Sequence, residues 1–124
     1  MILGALGMNI FYRHFVRFID GRSSERLSVA FLPGHLGGYL RTLQTDVVIR
    51  RDYALKLLRR GIDCRQFDKI QKAIDAGYCI QPKPTQLAFL YCPGGVSPEI
   101  YFLLLKTNSN RQELWLVTFH RIKP

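Results

Sequence analysis

The chain has 124 residues, one domain's worth and enough to bury a core without disulfides or metal to staple it. Nearly half of it is apolar and only 22% is charged, a balance that excludes a wholly disordered chain. Eighteen Lys and Arg against nine acids leave a formal charge of +9, so polyanions, nucleic acids first among them, are the partners to consider.

The opening MILGALGMNI is apolar but has no basic leader region and no clear cleavage site, and it is too short to span a bilayer. It is expected to be a short strand or tail packed on the body of a cytoplasmic protein. Residues 9–19, NIFYRHFVRFI, fit a strand by composition and a helix by the spacing of Phe11, Phe15 and Phe18. DGRSSERLS, from Asp20 to Ser28, reads as a polar turn, and VAFLPGHLGGYL as a short strand broken by a Gly/Pro loop. LPGHLGG lacks the Lys-Ser/Thr of a phosphate-binding loop, so a plain loop containing His35 is expected there.

From Asp46 the order is clearer. VVIR (Val47–Arg50) is a strand, and RDYALKLLRRG is a helix with Ala54, Leu57 and Leu58 on one face and Gly61 as its stop. QFDKIQKAIDAG is a second helix with Phe67, Ile70, Ala73 and Ile74 on one stripe, ending at Gly77. TQLAFLY (Thr85–Tyr91), IYFLLLK (Ile100–Lys106) and ELWLVTFHR (Glu113–Arg121) are strands, separated by CPGGVSPE and by the polar turn TNSN. Loops of this length join antiparallel strands. The expected fold class is therefore α+β, with two or three short helices on one face of a curved antiparallel sheet that ends in a C-terminal meander. One domain covers 1–124, and 46–124 is its legible part.

Alternation along the last strand puts Trp115, Val117 and Phe119 on one face and Leu116, Thr118 and His120 on the other. The aromatic face is expected to lie under the helices, leaving Thr118 and His120 on the open side. His120 is the candidate proton-transfer group, since imidazole is suited to that work near neutral pH; a solvated histidine on a fraying strand is the plainer alternative. Lys56, Arg59 and Arg60 on the first helix, Arg50 and Arg51 at its start, and Lys106 and Lys123 are candidate phosphate contacts, although such a stripe also fits the wet side of a helix. His14, among aromatics, reads as structural. The spacing of Cys64, Cys79 and Cys92 matches no zinc pattern, and no nucleophile elbow or His/carboxylate cluster appears, so neither a metal nor a cofactor is expected. RNA cleavage fits a basic frame of this kind. The 2′-hydroxyl is an internal nucleophile, and the protein need only move protons and stabilise charge on phosphate.

VVIRRDYALKLLRRG, FDKIQKAIDAG, YFLLLKTN and ELWLVTFHR, in that order between Val47 and Lys123, resemble the phage and polymorphic-toxin branches of the barnase/EndoU/colicin/RelE-like nuclease superfamily. The resemblance implies helices followed by a compact antiparallel sheet, and a metal-independent, toxin-like endoribonuclease directed at tRNA or other cellular RNA. It implies functional roles for Thr118 and His120 on the last strand and for Lys56 and Arg60 on the helix bordering the cleft. An acidic antitoxin or immunity protein is the partner such a toxin would have. In the expected mechanism His120 is the acid or base, Thr118 orients a phosphate oxygen, and Arg121, Lys56 and Arg60 stabilise charge as a 2′,3′-cyclic phosphate forms. Where related sequences often carry a histidine on the first helix, this chain has Tyr53 and Lys56, which leaves the second proton-transfer group unassigned. The alternative from another class is a non-catalytic module that binds nucleic acid or protein.

Overall fold

The structure, a computed structural model, describes residues 13–21, 26–94 and 99–122; the apolar opening up to residue 12 and Lys123 lie outside them. Residues 13–19 are helical (α1), and both Phe15 and Phe18 are buried. A helix prevails here because one stripe can bury both rings at once. Phe15 meets Phe67 edge-on with ring centroids 5.5 Å apart.

Strand β1 (Arg26–Phe31) follows. LPGHLGG, expected as a plain loop, is instead wound into helix α2 (Gly34–Gly37) and a 3-10 turn (Gly38–Leu40). The Pro33 carbonyl starts the winding, accepting from the N–H groups of Leu36 and Gly37 at 3.0 and 3.1 Å, and the turn delivers Leu40 to the core.

Strand β2 (Asp46–Arg50) runs directly into helix α3 (Arg51–Arg59). Ala54 and Leu57 face the core, Asp52 sits in the first turn and Lys56 and Arg59 in the last, the arrangement that the helix dipole favours. The helix stops at Gly61, φ 79°. There the Gly61 N–H donates to Leu58 O at 3.0 Å and the Ile62 N–H to Leu57 O at 2.9 Å, the paired bonds of a Schellman end. A capped 3-10 turn (Cys64–Gln66) leads into helix α4 (Asp68–Ala76), which buries Ile70, Ala73 and Ile74. Gly77 ends α4 for another reason. Its φ of −77° suits any residue, but a Cβ would collide with the Ala73 carbonyl and stand 2.9 Å from Leu90 O, so glycine lets the helix hand over this close to the sheet.

Strands β3 (Tyr78–Ile80), β4 (Gln86–Tyr91), β5 (Ile100–Thr107) and β6 (Leu114–Ile122) form the expected antiparallel meander, with the short β3 as an addition. The sheet order is β1-β2-β6-β5-β4-β3. The class is α+β as expected, but the sheet is mixed: β2 lies parallel to β6 through the single pair Val48 and Trp115. Helix α3 packs on β2, and α4 crosses β1, β4 and β5. Between helices and sheet lie Phe18, Leu57, Ile70, Phe89, Leu103 and Phe119, all but removed from solvent. The Gln71 side chain of α4 also clamps β1, accepting from Phe31 N–H at 2.7 Å and donating to Phe31 O at 3.0 Å, which blunts an edge strand.

Strict alternation fails in β6. Leu104 pairs with Thr118 and Leu105 with Leu116, so Val117 is an extra residue and forms a β-bulge. Faces invert across it: Leu114, Leu116 and Phe119 are buried, Trp115 is only partly buried and Val117 is 40% exposed. The expectation that Trp115 and Val117 join Phe119 in the core is thereby corrected. Thr118 and His120, both beyond the bulge, share the open face as expected, and Trp115 shares it with them.

Candidate nucleic-acid interface

At the end of the open face nearest the β5–β6 hairpin, four strands bring Arg26, Arg50, Trp115 and Lys106 together. Arg26 and Arg50 are register partners on β1 and β2, and Lys106 is the β5 partner of Trp115. The two guanidinium carbons stand 5.2 and 5.8 Å from the Trp115 ring centroid, within cation–π reach. Two arginines directly across a strand pair repel each other. The indole face offsets this, as does Glu113, 2.8 Å from Arg26 Nη1. Asp52 is 3.8 Å from Arg50, and Lys106 makes no ion pair among the described residues. A cleft of about 410 Å³ opens here, bordered by Arg50, Tyr53, Lys106, Asn108, Trp115 and Val117. An indole flanked by cations can stack a base and hold its phosphate.

Further along β6, Thr118 and His120 point to the same side, opposite Leu104 and Phe102 of β5. The His120 ring lies 5.3 Å from the Phe102 ring, tilted by 40°. Leu90, across from Phe102 on β4, is exposed, and so is Ile122. The surroundings of His120 are therefore apolar, and no hydrogen bond reaches its ring among the described residues.

The other expected site residues fall on the helix side of the sheet. Arg121 is paired with Tyr101, whose neighbours face the core, and its Nη1 lies 3.4 Å from Glu99 Oε1. Glu99 also accepts from the Tyr101 hydroxyl at 2.8 Å. Arg121 is thus held away from His120 by the alternation of the strand itself. Lys56, Arg59 and Arg60 are exposed on α3 and at its end, and the Arg51 guanidinium packs against Gly21. The structure gathers Arg50, Lys106, Thr118 and His120 on one face, and leaves Arg51, Lys56, Arg59, Arg60 and Arg121 apart from it.

Tyr53 marks the seam between these two sets. Because β2 pairs with β6 only at Val48, the β6 backbone beyond that point needs another partner, and the Tyr53 hydroxyl accepts from Phe119 N–H at 2.7 Å. Burial raises the Tyr53 pKa above the ordinary 10.0, opposed by that hydrogen bond and by the nearby Arg60 guanidinium. The phenol stays neutral at physiological pH, and while it accepts from Phe119 it keeps its own proton to donate at the border of the Trp115 cleft.

Trp115, Arg26 and Tyr53 escape a reading by sequence pattern. Trp115 needs the bulge at Val117 to face outward, Arg26 sits at the end of a polar stretch that reads as a turn, and Tyr53 looks like an ordinary partly buried helix residue. The one available signal was chemical: a Trp between a Glu and a run ending in His, Arg and Lys. Among the described residues, no three of His, Cys, Asp and Glu lie close enough to hold a metal ion, and no helix is long and apolar enough to cross a membrane. Compared with known proteins, the chain matches no family model, no curated protein and no solved structure.

Proposed function

We propose that this protein binds single-stranded RNA along the open face of its sheet and cleaves it as a metal-independent endoribonuclease. The observation that carries this reading is the company His120 keeps: the Val117 bulge turns Trp115, with Arg26 and Arg50 against its ring, onto the same open face as Thr118 and His120. A base stacks on Trp115 while Arg50 and Lys106 hold phosphates. The 2′-oxygen attacks the adjacent phosphorus, the 5′-oxygen departs, and a 2′,3′-cyclic phosphate remains. His120 either takes the 2′-hydroxyl proton or supplies one to the departing 5′-oxygen, with water serving the other transfer, and the Thr118 hydroxyl donates to a non-bridging oxygen. Arg121, Lys56 and Arg60, expected from sequence to stabilise charge, have no part in this version because they stand on the helix side. tRNA is the first substrate to try, and an acidic inhibitor protein seated on this face would suit its charge.

A non-catalytic RNA-binding module is the second reading, favoured by the apolar setting of His120 against Phe102. Incubation of the purified protein with tRNA and total RNA in EDTA separates the two. Cleavage with cyclic phosphate ends is expected, and His120→Ala should lower the rate by about 10²-fold or more with an unchanged thermal midpoint. Intact RNA that both proteins bind in a salt-sensitive way would establish the module instead.

A further inference from the structure

A second cleft, of about 530 Å³, lies on the other side of the β5–β6 hairpin and is lined by Tyr39, Arg41, Gln81, Lys83 and Arg111. Its size is that of a small-molecule site (~300–1,000 Å³). The hairpin turn separates it from the Trp115 cleft: Asn108 borders the first, Arg111 the second, and the Arg111 N–H donates to Asn108 O at 3.0 Å. Three cations converge here with no acidic residue in the lining, and none of the three makes an ion pair among the described residues. That concentration of positive charge favours a bound anion.

The walls are held in place without a ligand. Arg41 (φ 53°) and Arg111 (φ 57°) are the two non-glycine residues with left-handed backbone among the described residues, a conformation that bulky side chains adopt only when their surroundings impose it. Buried Thr42 supplies part of the constraint. Its hydroxyl donates to Arg111 O at 2.7 Å and accepts from Gln44 N–H at 3.1 Å, tying the turn after Leu40 to the hairpin. Arg111 Nε donates to Leu40 O at 3.1 Å and Nη1 to Ser109 O at 3.2 Å, which fixes the guanidinium plane and leaves further N–H groups to donate. Gln81 Nε2 donates to Tyr39 O at 2.7 Å and to Pro84 O at 3.3 Å, fixing the opposite wall. The Tyr39 residue is 62% exposed at the rim. Fixed donors for an anion beside an exposed aromatic ring match a phosphate joined to a flat base.

We propose that this cleft binds the terminal phosphate of a nucleotide, either free or at the 5′-end of an RNA strand, with the base against Tyr39. The assignment does not depend on cleavage at the open face. Its test is calorimetric titration of the whole protein with adenosine 5′-monophosphate and with adenosine, repeated on the double variant Arg41→Asn/Lys83→Gln; asparagine tolerates the left-handed backbone at Arg41. Wild type should bind the monophosphate more tightly than adenosine, and the double variant should lose about tenfold or more in affinity for it. Trp115→Ala, which removes the stacking surface of the open face, should keep the preference for the monophosphate over adenosine. Competition by a 5′-phosphorylated 2′-O-methyl RNA, and not by its 5′-hydroxyl counterpart, identifies strand ends as the source; its absence identifies free nucleotide. The proposal fails if the monophosphate binds no better than adenosine, or equally to wild type and the double variant, or if Trp115→Ala abolishes its binding.

Discussion

The two ends of the open face are joined by strand β6 and share almost no chemistry. Around Trp115 stand Arg26, Arg50 and Lys106, cationic groups of the kind suited to holding phosphate. Around His120 stand Phe102, Leu90 and Ile122, surfaces with little hold on a polyanion. Trp115 and His120 pair with Lys106 and Phe102, so with the bulge between them they stand roughly 13 Å apart along the sheet at ~3.3 Å per β5 residue. A substrate that used both would have to be a chain long enough to be held at one end and cut at the other. On the proposed reading, binding and chemistry are divided along β6, and the bulge is what keeps both on the same face.

Removing a leucine buried beside that bulge should have the largest effect. Leu116→Ala empties a core position and should cost about 2–5 kcal/mol. Set against a total of ~5–15 kcal/mol for a domain, this should lower the denaturant midpoint steeply. Deleting Val117 itself should be far milder: Leu116 then precedes Thr118, and plain alternation keeps Leu114, Leu116 and Phe119 inward with Trp115, Thr118 and His120 outward. A deletion variant that unfolds, or a Leu116→Ala variant as stable as wild type, would mean that burial of these side chains does not set the two faces.

Trp115→Ala addresses one end alone. It should weaken single-strand RNA binding by about 1–3 kcal/mol, the value of one stacked base, with little change in thermal midpoint because the ring is only partly buried. If the division of labour is right, kcat/KM falls for a long substrate and hardly changes for a dinucleotide, which reaches only one end. An equal loss on both substrates would show that Trp115 acts at the site of cleavage.

The smallest effect is expected at the seam. Tyr53→Phe leaves Phe119 N–H without its partner and should cost about 1 kcal/mol, read by chemical denaturation. Because the folded Tyr53 pKa is raised above 10.0, folding favours the protonated phenol. Its contribution is complete below pH 10 and is lost as the pH rises through the folded value. The Phe variant should therefore lose stability less steeply above pH 10 than wild type, although Tyr101, likewise raised by burial, keeps part of that slope. Identical alkaline profiles would show that Tyr53 does not titrate with unfolding.

Local pattern was enough for the elements that obey a single period. Helix α3 and its Gly61 stop, the α4 stripe of Ile70, Ala73 and Ile74, and the antiparallel meander all follow from spacing and turn chemistry, because each residue's partner lies within a few positions or on the next strand. The α+β class follows in turn, as does the shared face of Thr118 and His120. The strand or helix choice at residues 13–19 was open in sequence and closed only when Phe15 found Phe67, on the far side of the chain. In the same way Arg121 was grouped with His120 by nearness in sequence, yet neighbours on a strand point to opposite faces.

What tertiary structure alone decided is the composition of the open face. No local rule marks Val117 as the unpaired residue, since a bulge is a property of two strands and is fixed by which of their residues must pack together. The same holds for Tyr53 meeting Phe119, for Arg26 and Arg50 meeting Trp115, and for Arg41 and Arg111 converging through Thr42. The sequence by itself determined that this chain folds around two amphipathic helices and a meander and carries an excess of positive charge. Where that charge gathers was left to long-range packing, because burial of Leu114, Leu116 and Phe119 outweighs alternation and turns the indole toward solvent.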